Sequence, residues 1–462
     1  MKNIYTLLLI AFCLIIPVRL RAQTPEQINR VDSLMQAAHQ LGIFNGNVLV
    51  TKKDKVVYSA AIGYADGSKT KMLNLDLKFD IGSIAKEFNG VSVMILQEQG
   101  KLKLDEHLSK YLPELPAWAD SIQVAQLLNY TSGLPASAAN TDEGLKDELM
   151  KLKYLSYLPG KSYIYSYSNV YLQRRIIEKV SGKKYNDFVM QYILKPCKMV
   201  NTVMDLPTTS PGMAIAFNKS FINEPYRQDI SGWPRLTIAD LQLFFTAINH
   251  YQLISKASVK QLSINFANGE SSLGNAVFED NELVWHQHQG SNYNYEALIT
   301  CDLKEDISVI LMTNNQSFKV NPLTTAIMAI LKGRPYLMPK KSLYLDLREQ
   351  VLADFDKGIA FYREAKEKKS LQYDFSFEIG ELVSTGKFLM RRNRNDDAIR
   401  IFELGMLLDL KNTDYSVACQ LTAEAYVQKG SRDMALLYYR KAVEKDPGNK
   451  IAAAFLEQWQ IK

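Results

Sequence analysis

The chain has 462 residues, of which 47% are hydrophobic and 23% are charged, and its formal net charge is +6 at pH 7. This length exceeds that of one small domain and the apolar content can bury a sizeable core, so the sequence predicts two domains. The positive charge is weak for so long a chain and forms no basic stripe, which argues against a nucleic acid as partner.

The first residues have the pattern of a secretory signal. Lys2 precedes an apolar stretch over 5–18, and Ala22 offers a small residue for cleavage. We therefore predict a signal peptide over 1–22 and an exported bacterial protein, periplasmic or secreted. A retained N-terminal anchor is the alternative, whereas a bulky aromatic residue before Cys13 disfavours lipid attachment. No later segment reaches eighteen apolar residues, so no stable membrane span is expected after removal of the signal.

The cysteines and histidines give little reason to expect a disulfide framework or a metal. Three cysteines follow the signal, Cys197, Cys301 and Cys419, and their odd number and wide spacing favour buried thiols. His286 and His288 could face one side of a strand, as metal ligands do. Because the sequence offers neither a third ligand nor a His-Glu-x-x-His pattern, we predict no metal and no cofactor.

The early elements lead to a serine at the start of a helix. A short helix over 24–41 is followed by strand-like runs at 46–50 and 55–58. Further on, Ser83-Ile84-Ala85-Lys86 opens a segment whose apolar residues recur at helical spacing through 88–95. Ser-x-x-Lys occurs at three other places in the chain, but none of those opens an apolar helix. Context therefore favours Ser83.

A serine and a lysine at this spacing form a chemical pair. Residues three apart on a helix share one face, about one turn from each other, so the amine of Lys86 can reach the hydroxyl of Ser83. That arrangement gives a nucleophile with its own proton acceptor. At a helix N-terminus, free N–H groups and the positive end of the dipole also favour a developing oxyanion.

The rest of the first domain combines helices with late strands. The middle of the chain is mostly helical and contains the only Tyr-x-Asn, Tyr167-Ser168-Asn169. Strand-like alternation returns at 283–288, 295–300 and 307–313, and the first of these holds His288-Gln289-Gly290. Two early and at least three late strands around a helical insertion predict an α/β (α+β) domain, with an antiparallel sheet flanked by helices on both faces.

A second, all-helical domain is predicted at the C-terminus. Two prolines and a basic pair within 334–344 are typical of a linker, which separates a first domain over 24–333 from a tail over 345–462. Within the tail, residues such as Gly386 and Ala423 recur at a shift of 37. This pattern resembles tetratricopeptide helix pairs, and an ordinary helical bundle is the alternative.

Together these motifs resemble the serine β-lactamase and penicillin-binding-protein superfamily, in its class C-like branch of esterases, D-aminopeptidases and D-Ala-D-Ala peptidases. The resemblance covers roughly residues 30 to 333 and follows the family's order. Leu127–Leu134 is similar to the family's LLxHTSGL segment, and Val309–Asn314 to its late strand. It implies a β-lactamase/transpeptidase-like fold for the first domain.

The resemblance also implies catalytic roles. Ser83 would attack a carbonyl, and Lys86 and Tyr167 would share its proton. Which of the two is the general base stays open, although a nearby Lys86 ammonium should lower the pKa of the Tyr167 phenol. Asn169 would hold Lys86 and the substrate amide, as the matching residue does in the family.

The third motif departs from the lysine-threonine-glycine of true β-lactamases, since His288 takes the place of the lysine. A mostly neutral imidazole attracts a substrate carboxylate less than an ammonium does. Gly290 would let the strand approach the substrate, and the N–H groups of Ser291 and Ser83 would form the oxyanion hole. Asn294 stands where the family usually has a glycine, which affects the shape of the strand edge.

These observations lead to one function and one rival. We expect an exported serine hydrolase that acts through an acyl-enzyme on esters or on amides and peptides containing D-amino acids, with β-lactams disfavoured by His288. The rival is a catalytically weak penicillin-binding-like protein that binds cell-wall fragments, or a protein partner through its helical tail. The partners expected are thus a small-molecule or peptide substrate and, through the tail, a protein.

Overall fold

The computed structural model describes residues 24–137, 139–226, 230–266, 269–368 and 371–460. The predicted signal peptide over 1–22 and Cys13 lie outside these residues. The strands are β1 (Gly46–Lys52), β2 (Lys55–Ile62), β3 (Phe79–Asp80), β4 (Val203–Met204), β5 (Pro234–Leu236), β6 (Asn275–Glu279), β7 (Glu282–Asn292), β8 (Tyr295–Asp302) and β9 (Ile307–Thr313).

Helices make up most of the remaining structure. Those of the first domain are α1 (Pro25–Gln40), α2 (Ala85–Glu98), α3 (Leu108–Tyr111), α4 (Val124–Leu128), α5 (Asp142–Lys151), α6 (Tyr167–Ser181), α7 (Tyr185–Val189), α8 (Ile238–Asn249), α9 (Lys256–Leu262) and α10 (Val320–Leu331). Those of the tail are α11 (Leu343–Ala353), α12 (Phe355–Lys368), α13 (Glu378–Met390), α14 (Asn395–Met406), α15 (Asn412–Gln428), α16 (Arg432–Lys445) and α17 (Lys450–Gln460). Shorter turns of 3₁₀ helix lie at Gly82–Ile84 and Ala117–Ser121, and a π-helical turn at Met190–Leu194.

The main sheet joins the two ends of the first domain. Its six strands are antiparallel and lie in the order β2-β1-β9-β8-β7-β6, so the early hairpin pairs with the late strands. The register places Val48 opposite Leu311 on the neighbouring strand and Gly290 opposite Ala297. A smaller sheet, β3-β5-β4, sits where the chain enters α2.

Strand residues alternate between two cores, because successive side chains of a strand point to opposite faces. Val48 and Leu311 pack in a cluster with α1 and α10, whereas Leu49 and Ile310 pack in the larger cluster with α2 and α8. The predicted fold class, an antiparallel sheet with helices on both faces followed by a helical region, is confirmed. Most of the late strands are buried on both faces, so they show apolar runs rather than strict alternation.

The tail consists of paired helices with cores of their own. Gly386 on α13 and Ala423 on α15 occupy equivalent places in successive helix pairs, and Phe402 and Tyr439 pack in the two pairs at the matching positions of α14 and α16. A side chain at Gly386 would collide with the ring of Phe402, which explains the small residue. The tetratricopeptide assignment and the domain boundaries stay predictions.

Two further observations concern membrane-spanning helices and the cysteines. Among the residues that the structure describes, no helix is both long enough and apolar enough to cross a membrane. Cys197, Cys301 and Cys419 are buried and are not paired in disulfides. Burial raises the pKa of the thiols at Cys197 and Cys301 to about 12, so these thiols stay protonated and unreactive.

Candidate active site

A tight turn between β3 and α2 presents Ser83. Gly82 has a φ of +53°, a left-handed conformation that glycine adopts without strain, and its N–H donates to Asp80 Oδ1 at 2.7 Å. A Cβ on Gly82 would come within 2.4 Å of the backbone nitrogen of Ser291. The glycine therefore turns the chain and lets the Ser83 turn lie directly against β7.

Lys86 lies one turn after Ser83 and bonds to it. Lys86 Nζ is 2.8 Å from Ser83 Oγ, and the lysine side chain is buried within α2, with 2% of its surface exposed. Burial lowers the pKa of Lys86 to about 8, and this effect outweighs the opposing attraction of Tyr167, Glu270 and Asp80. A substantial fraction of this amine is consequently neutral near physiological pH and can accept a proton.

Two tyrosines complete the surroundings of the amine. Ser83 Oγ lies 2.5 Å from Tyr165 Oη, and Lys86 Nζ lies 4.5 Å from the centre of the Tyr165 ring and 5.7 Å from that of Tyr167. Burial raises the pKa of both phenols, and for Tyr167 it outweighs the lowering effect of Lys86. The expected net lowering of the Tyr167 pKa is therefore wrong, because removal from water costs a phenolate more than the nearby ammonium returns.

Asn169 is close to the site but is held by other partners. It is buried in the first turn of α6, where its Oδ1 accepts from Ser132 Oγ at 2.6 Å and its Nδ2 donates to Ser166 O at 3.4 Å. In the described part of the chain, no hydrogen bond joins Asn169 to Lys86. Its observed contacts tie α6 to the Thr-Ser-Gly segment, which includes Ser132.

Gly290 and Ser291 bring the backbone of β7 to the nucleophile. A Cβ on Gly290 would lie 1.9 Å from Ile81 O and 2.7 Å from Ser83 N, so a larger residue could not occupy this position without separating the two segments. The backbone nitrogens of Ser83 and Ser291 thus lie on either side of one narrow gap. Two N–H groups in such an arrangement can stabilise the oxyanion of a tetrahedral intermediate.

His288 points into the interior and bonds to a carboxylate. His288 Nδ1 lies 2.6 Å from Glu87 Oε1, His286 Nε2 lies 3.4 Å from the same oxygen, and all three side chains are buried. Burial acts to raise the pKa of Glu87, but the two histidines together hold it below its usual value. His286 Nδ1 also contacts Asn249 Oδ1 at 2.7 Å. The cluster ties α2 to β7 immediately behind the Ser83–Lys86 pair.

Sequence reasoning missed two residues of this site. Tyr165 was not predicted, although the alternation of Tyr163, Tyr165 and Tyr167 in an extended stretch places Tyr165 on the same side as Tyr167. Glu87 carried no signal of its own, because its role depends on the arrival of His288 from 201 residues further along the chain.

A cavity adjoins the site on the side of Tyr167. It has a volume of about 520 Å³ and is lined by Trp233, Tyr226 and Arg235, among others. The Trp233 ring packs edge-on against Tyr167 with centroids 6.3 Å apart. The buried Arg235 guanidinium pairs with Asp80 at 3.0 Å and so holds β5 against β3. Through Trp233, the wall of this cavity contacts Tyr167.

A family model described as Beta-lactamase matches residues 29–332 of the chain. The chain is 24% identical over 339 residues to Penicillin-binding protein 4* of Bacillus subtilis (strain 168), a match that covers 64% of this chain and 74% of that protein. The region 29–332 that the family model matches contains Ser83, Lys86, Tyr167 and His288.

Solved structures show the same architecture. A class C beta-lactamase superposes with a TM-score of 0.56 at 20% identity, covering 67% of this chain and 96% of that chain. The D-amino acid amidase from Ochrobactrum anthropi SV3 superposes with a TM-score of 0.56 at 19% identity, covering 67% of this chain and 99% of that chain. At such identities the likeness shows a common fold and leaves substrate and activity open.

Proposed function

The chain belongs to the beta-lactamase family, and on that premise we propose that it is an exported serine hydrolase of the class C-like type, acting through an acyl-enzyme. One observation carries the proposal: the buried amine of Lys86 lies 2.8 Å from the hydroxyl of Ser83. A half-buried serine next to a lysine of lowered pKa can lose its proton as it attacks a carbonyl.

The first half-reaction follows from these positions. Neutral Lys86 accepts the Ser83 proton while the serine oxygen forms a bond to the substrate carbonyl, and the N–H groups of Ser83 and Ser291 receive the negative charge on the carbonyl oxygen. Tyr165 stays protonated, since burial raises its pKa, and so donates a hydrogen bond at the reacting oxygens. Collapse of the intermediate expels the alcohol or amine, which takes a proton from the Lys86 ammonium.

The second half-reaction uses the same groups with water as the nucleophile. Lys86 accepts a proton from water, the hydroxide attacks the ester carbonyl of acylated Ser83, and the acid product leaves as Ser83 regains its proton. We assign the general base to Lys86 rather than Tyr167, because burial lowers the pKa of the amine and raises that of the phenol.

The substrate class we propose is esters, or amides and peptides that contain D-amino acids. One structural neighbour is a D-amino acid amidase, and a second neighbour of the same fold is a class C beta-lactamase. Position 288, a lysine in true β-lactamases, is here a buried histidine engaged by Glu87. Because this imidazole is turned away from solvent, it supports small acyl substrates more than anionic β-lactams.

Covalent labelling tests the proposal. A fluorescent fluorophosphonate should label the wild-type protein and fail to label Ser83→Ala. Ser68→Ala is the matched control, because Ser68 belongs to another Ser-x-x-Lys but is exposed and bonds to Thr70. Labelling that persists in Ser83→Ala, or no labelling of any variant, would contradict the proposal and favour the binding protein. Hydrolysis of chromogenic esters, D-alanyl anilides and cephalosporins then ranks the substrates.

A further inference from the structure

A groove at the end of β7 continues from the active site to the helical tail. It has a volume of about 800 Å³. One wall runs from Ser291 to Asn294 on the first domain, and the other comes from the tail, with Arg348 on α11 and Arg391 and Arg392 at the end of α13. Since the first residue of this wall also offers a proposed oxyanion donor, a chain bound at the reacting carbonyl can extend into the groove.

Contacts beside the groove fix the tail wall in place. The buried ammonium of Lys319 pairs with Asp374 at 3.0 Å, and the backbone N–H of Asp374 donates to Lys341 O at 2.9 Å. The ring of Phe318 packs on that of Tyr344, with centroids 5.7 Å apart. The arginines are therefore presented from an anchored surface.

Two of the three arginines, Arg392 and Arg348, lie on an aromatic ring. The Arg392 guanidinium lies 3.7 Å and the Arg348 guanidinium 5.1 Å from the centre of the Phe388 ring, which is itself buried. Stacking of this kind orients the planar guanidinium. Arg392 Nη1 donates to Phe388 O at 3.4 Å and Arg348 Nη1 to Tyr344 Oη at 3.2 Å, while each Nη2 makes no such bond among the described residues. Two cations share one ring, so their mutual repulsion falls when an anion binds between them.

The described lining of the groove has more basic than acidic side chains. It contains four basic residues, Lys219 and the three arginines, but only two acidic ones, Glu224 and Glu349. Glu349 pairs with Arg348 at 3.1 Å, and Glu224 accepts from the side chain of Asn218 at 2.6 Å. Arg391 and Arg392 have no carboxylate within ion-pair distance among the residues that the structure describes.

We propose that this groove is the acyl-chain subsite of the enzyme, and that Arg391 and Arg392, with Arg348, bind a carboxylate at the far end of the substrate's acyl group. The inference rests on the proposed function and narrows its substrates to acyl donors that end in a carboxylate. A guanidinium pairs with a carboxylate through two parallel hydrogen bonds, which gives both affinity and orientation. The leaving group departs on the opposite side of the carbonyl.

Paired substrates test the subsite. The 4-nitrophenyl half-esters of adipic and suberic acid are compared with esters of equal length that end in a carboxamide. Wild type should prefer the carboxylate, and Arg391→Gln/Arg392→Gln should lower kcat/KM for the carboxylate esters about tenfold, corresponding to about 1.4 kcal/mol, while changing the carboxamides less than twofold. Arg363→Gln, an exposed tail arginine on α12 away from the groove, should leave both unchanged.

Other outcomes overturn the subsite or the function separately. An equal loss on both kinds of ester, no loss on either, or a carboxylate preference that the double variant keeps would each refute the subsite. Fluorophosphonate labelling of Ser83 reports on the nucleophile independently. If labelling and hydrolysis are both absent, the proposed function fails. Calorimetric titration with suberate then tests carboxylate binding in the groove by itself. Binding to wild type that is lost in the double variant supports the carboxylate site, and no binding to wild type refutes it.

Discussion

The chemistry of the site depends on where α2 places the amine of Lys86. The buried position disfavours its charge, while Tyr167, Glu270 and Asp80 oppose that effect, so the pKa of Lys86 falls to about 8. Below this pH the amine is protonated and cannot accept the Ser83 proton. We therefore predict that the rate of labelling by a neutral fluorophosphonate falls about tenfold per pH unit below pH 8 and levels off above it.

The same profile discriminates between the two bases. Tyr167→Phe should keep an inflection, moved below that of wild type because the attraction of Tyr167 for the Lys86 ammonium is lost. Lys86→Arg should abolish labelling, since arginine stays charged. A profile of Tyr167→Phe that loses its inflection while the protein keeps its melting temperature would assign the general base to Tyr167 instead.

The hydroxyl of Tyr165 is a second group that should affect the labelling rate of Ser83. Its hydroxyl lies 2.5 Å from Ser83 Oγ, and its ring lies against that of Tyr130, with centroids 5.2 Å apart. Tyr165→Phe should slow labelling about tenfold without unfolding the protein, because one hydrogen bond to the reacting oxygen is lost and the ring remains. Tyr163→Phe, two residues away in the same segment, serves as the control and should label at the wild-type rate.

At the scale of elements, the proposed oxyanion hole depends on the close approach of β7 to the Ser83 turn. Gly290→Ala should lower the labelling rate by about 10²–10³, because its methyl group collides with Ile81 O and moves the Ser291 N–H away from the oxyanion. Ser291→Ala should retain most of the activity, since only the backbone of that residue takes part. Equal losses in the two variants would show that the Ser291 side chain acts instead.

The buried cluster behind the site links α2 to β7 and makes stability depend on pH. The Glu87 pKa is below its unfolded value, so its ionised form stabilises the folded protein above about pH 4.3, and this stabilisation is lost as the pH falls through the folded pKa. Glu87→Gln should unfold more easily than wild type at pH 7 and should lose less further stability on acidification. If the melting temperatures of the two proteins fell by the same amount between pH 7 and pH 4, the proposed effect of Glu87 ionisation on stability would be contradicted.

Much of this arrangement could be predicted from the sequence, because it depends on local patterns. The helical spacing after Ser83 distinguished it from the other serines of Ser-x-x-Lys, and the order of short strand-like runs around a helical stretch predicted the sheet and its flanking helices. The contacts between residues far apart in the chain could not be predicted. Glu87 meets His288 only because the fold brings distant segments together, and that contact leaves no periodic or compositional trace. The alternation around Tyr165 indicates the side on which its ring lies, but not that it meets Ser83.

At the scale of the whole molecule, the tail is joined to the first domain by a small, partly buried interface. Lys319 is 5% exposed and pairs with Asp374 of the tail. Asp374→Asn leaves a buried ammonium without its counter-charge, a cost of about 1–3 kcal/mol, and should speed proteolytic cleavage between α10 and α11. Asp356→Asn removes an exposed ion pair with Arg400 inside the tail and should leave that cleavage unchanged. Identical cleavage of both variants would show that this pair does not anchor the tail.

The central claim is that Ser83 becomes covalently acylated. The most direct measurement is intact-protein mass spectrometry after brief exposure to a slowly hydrolysed 4-nitrophenyl ester, followed by peptide mapping. We predict a mass increase of one acyl group, located on the peptide that contains Ser83, which disappears as the ester is turned over and never forms in Ser83→Ala. An acyl group on another residue, or turnover by Ser83→Ala at the wild-type rate, would contradict the account.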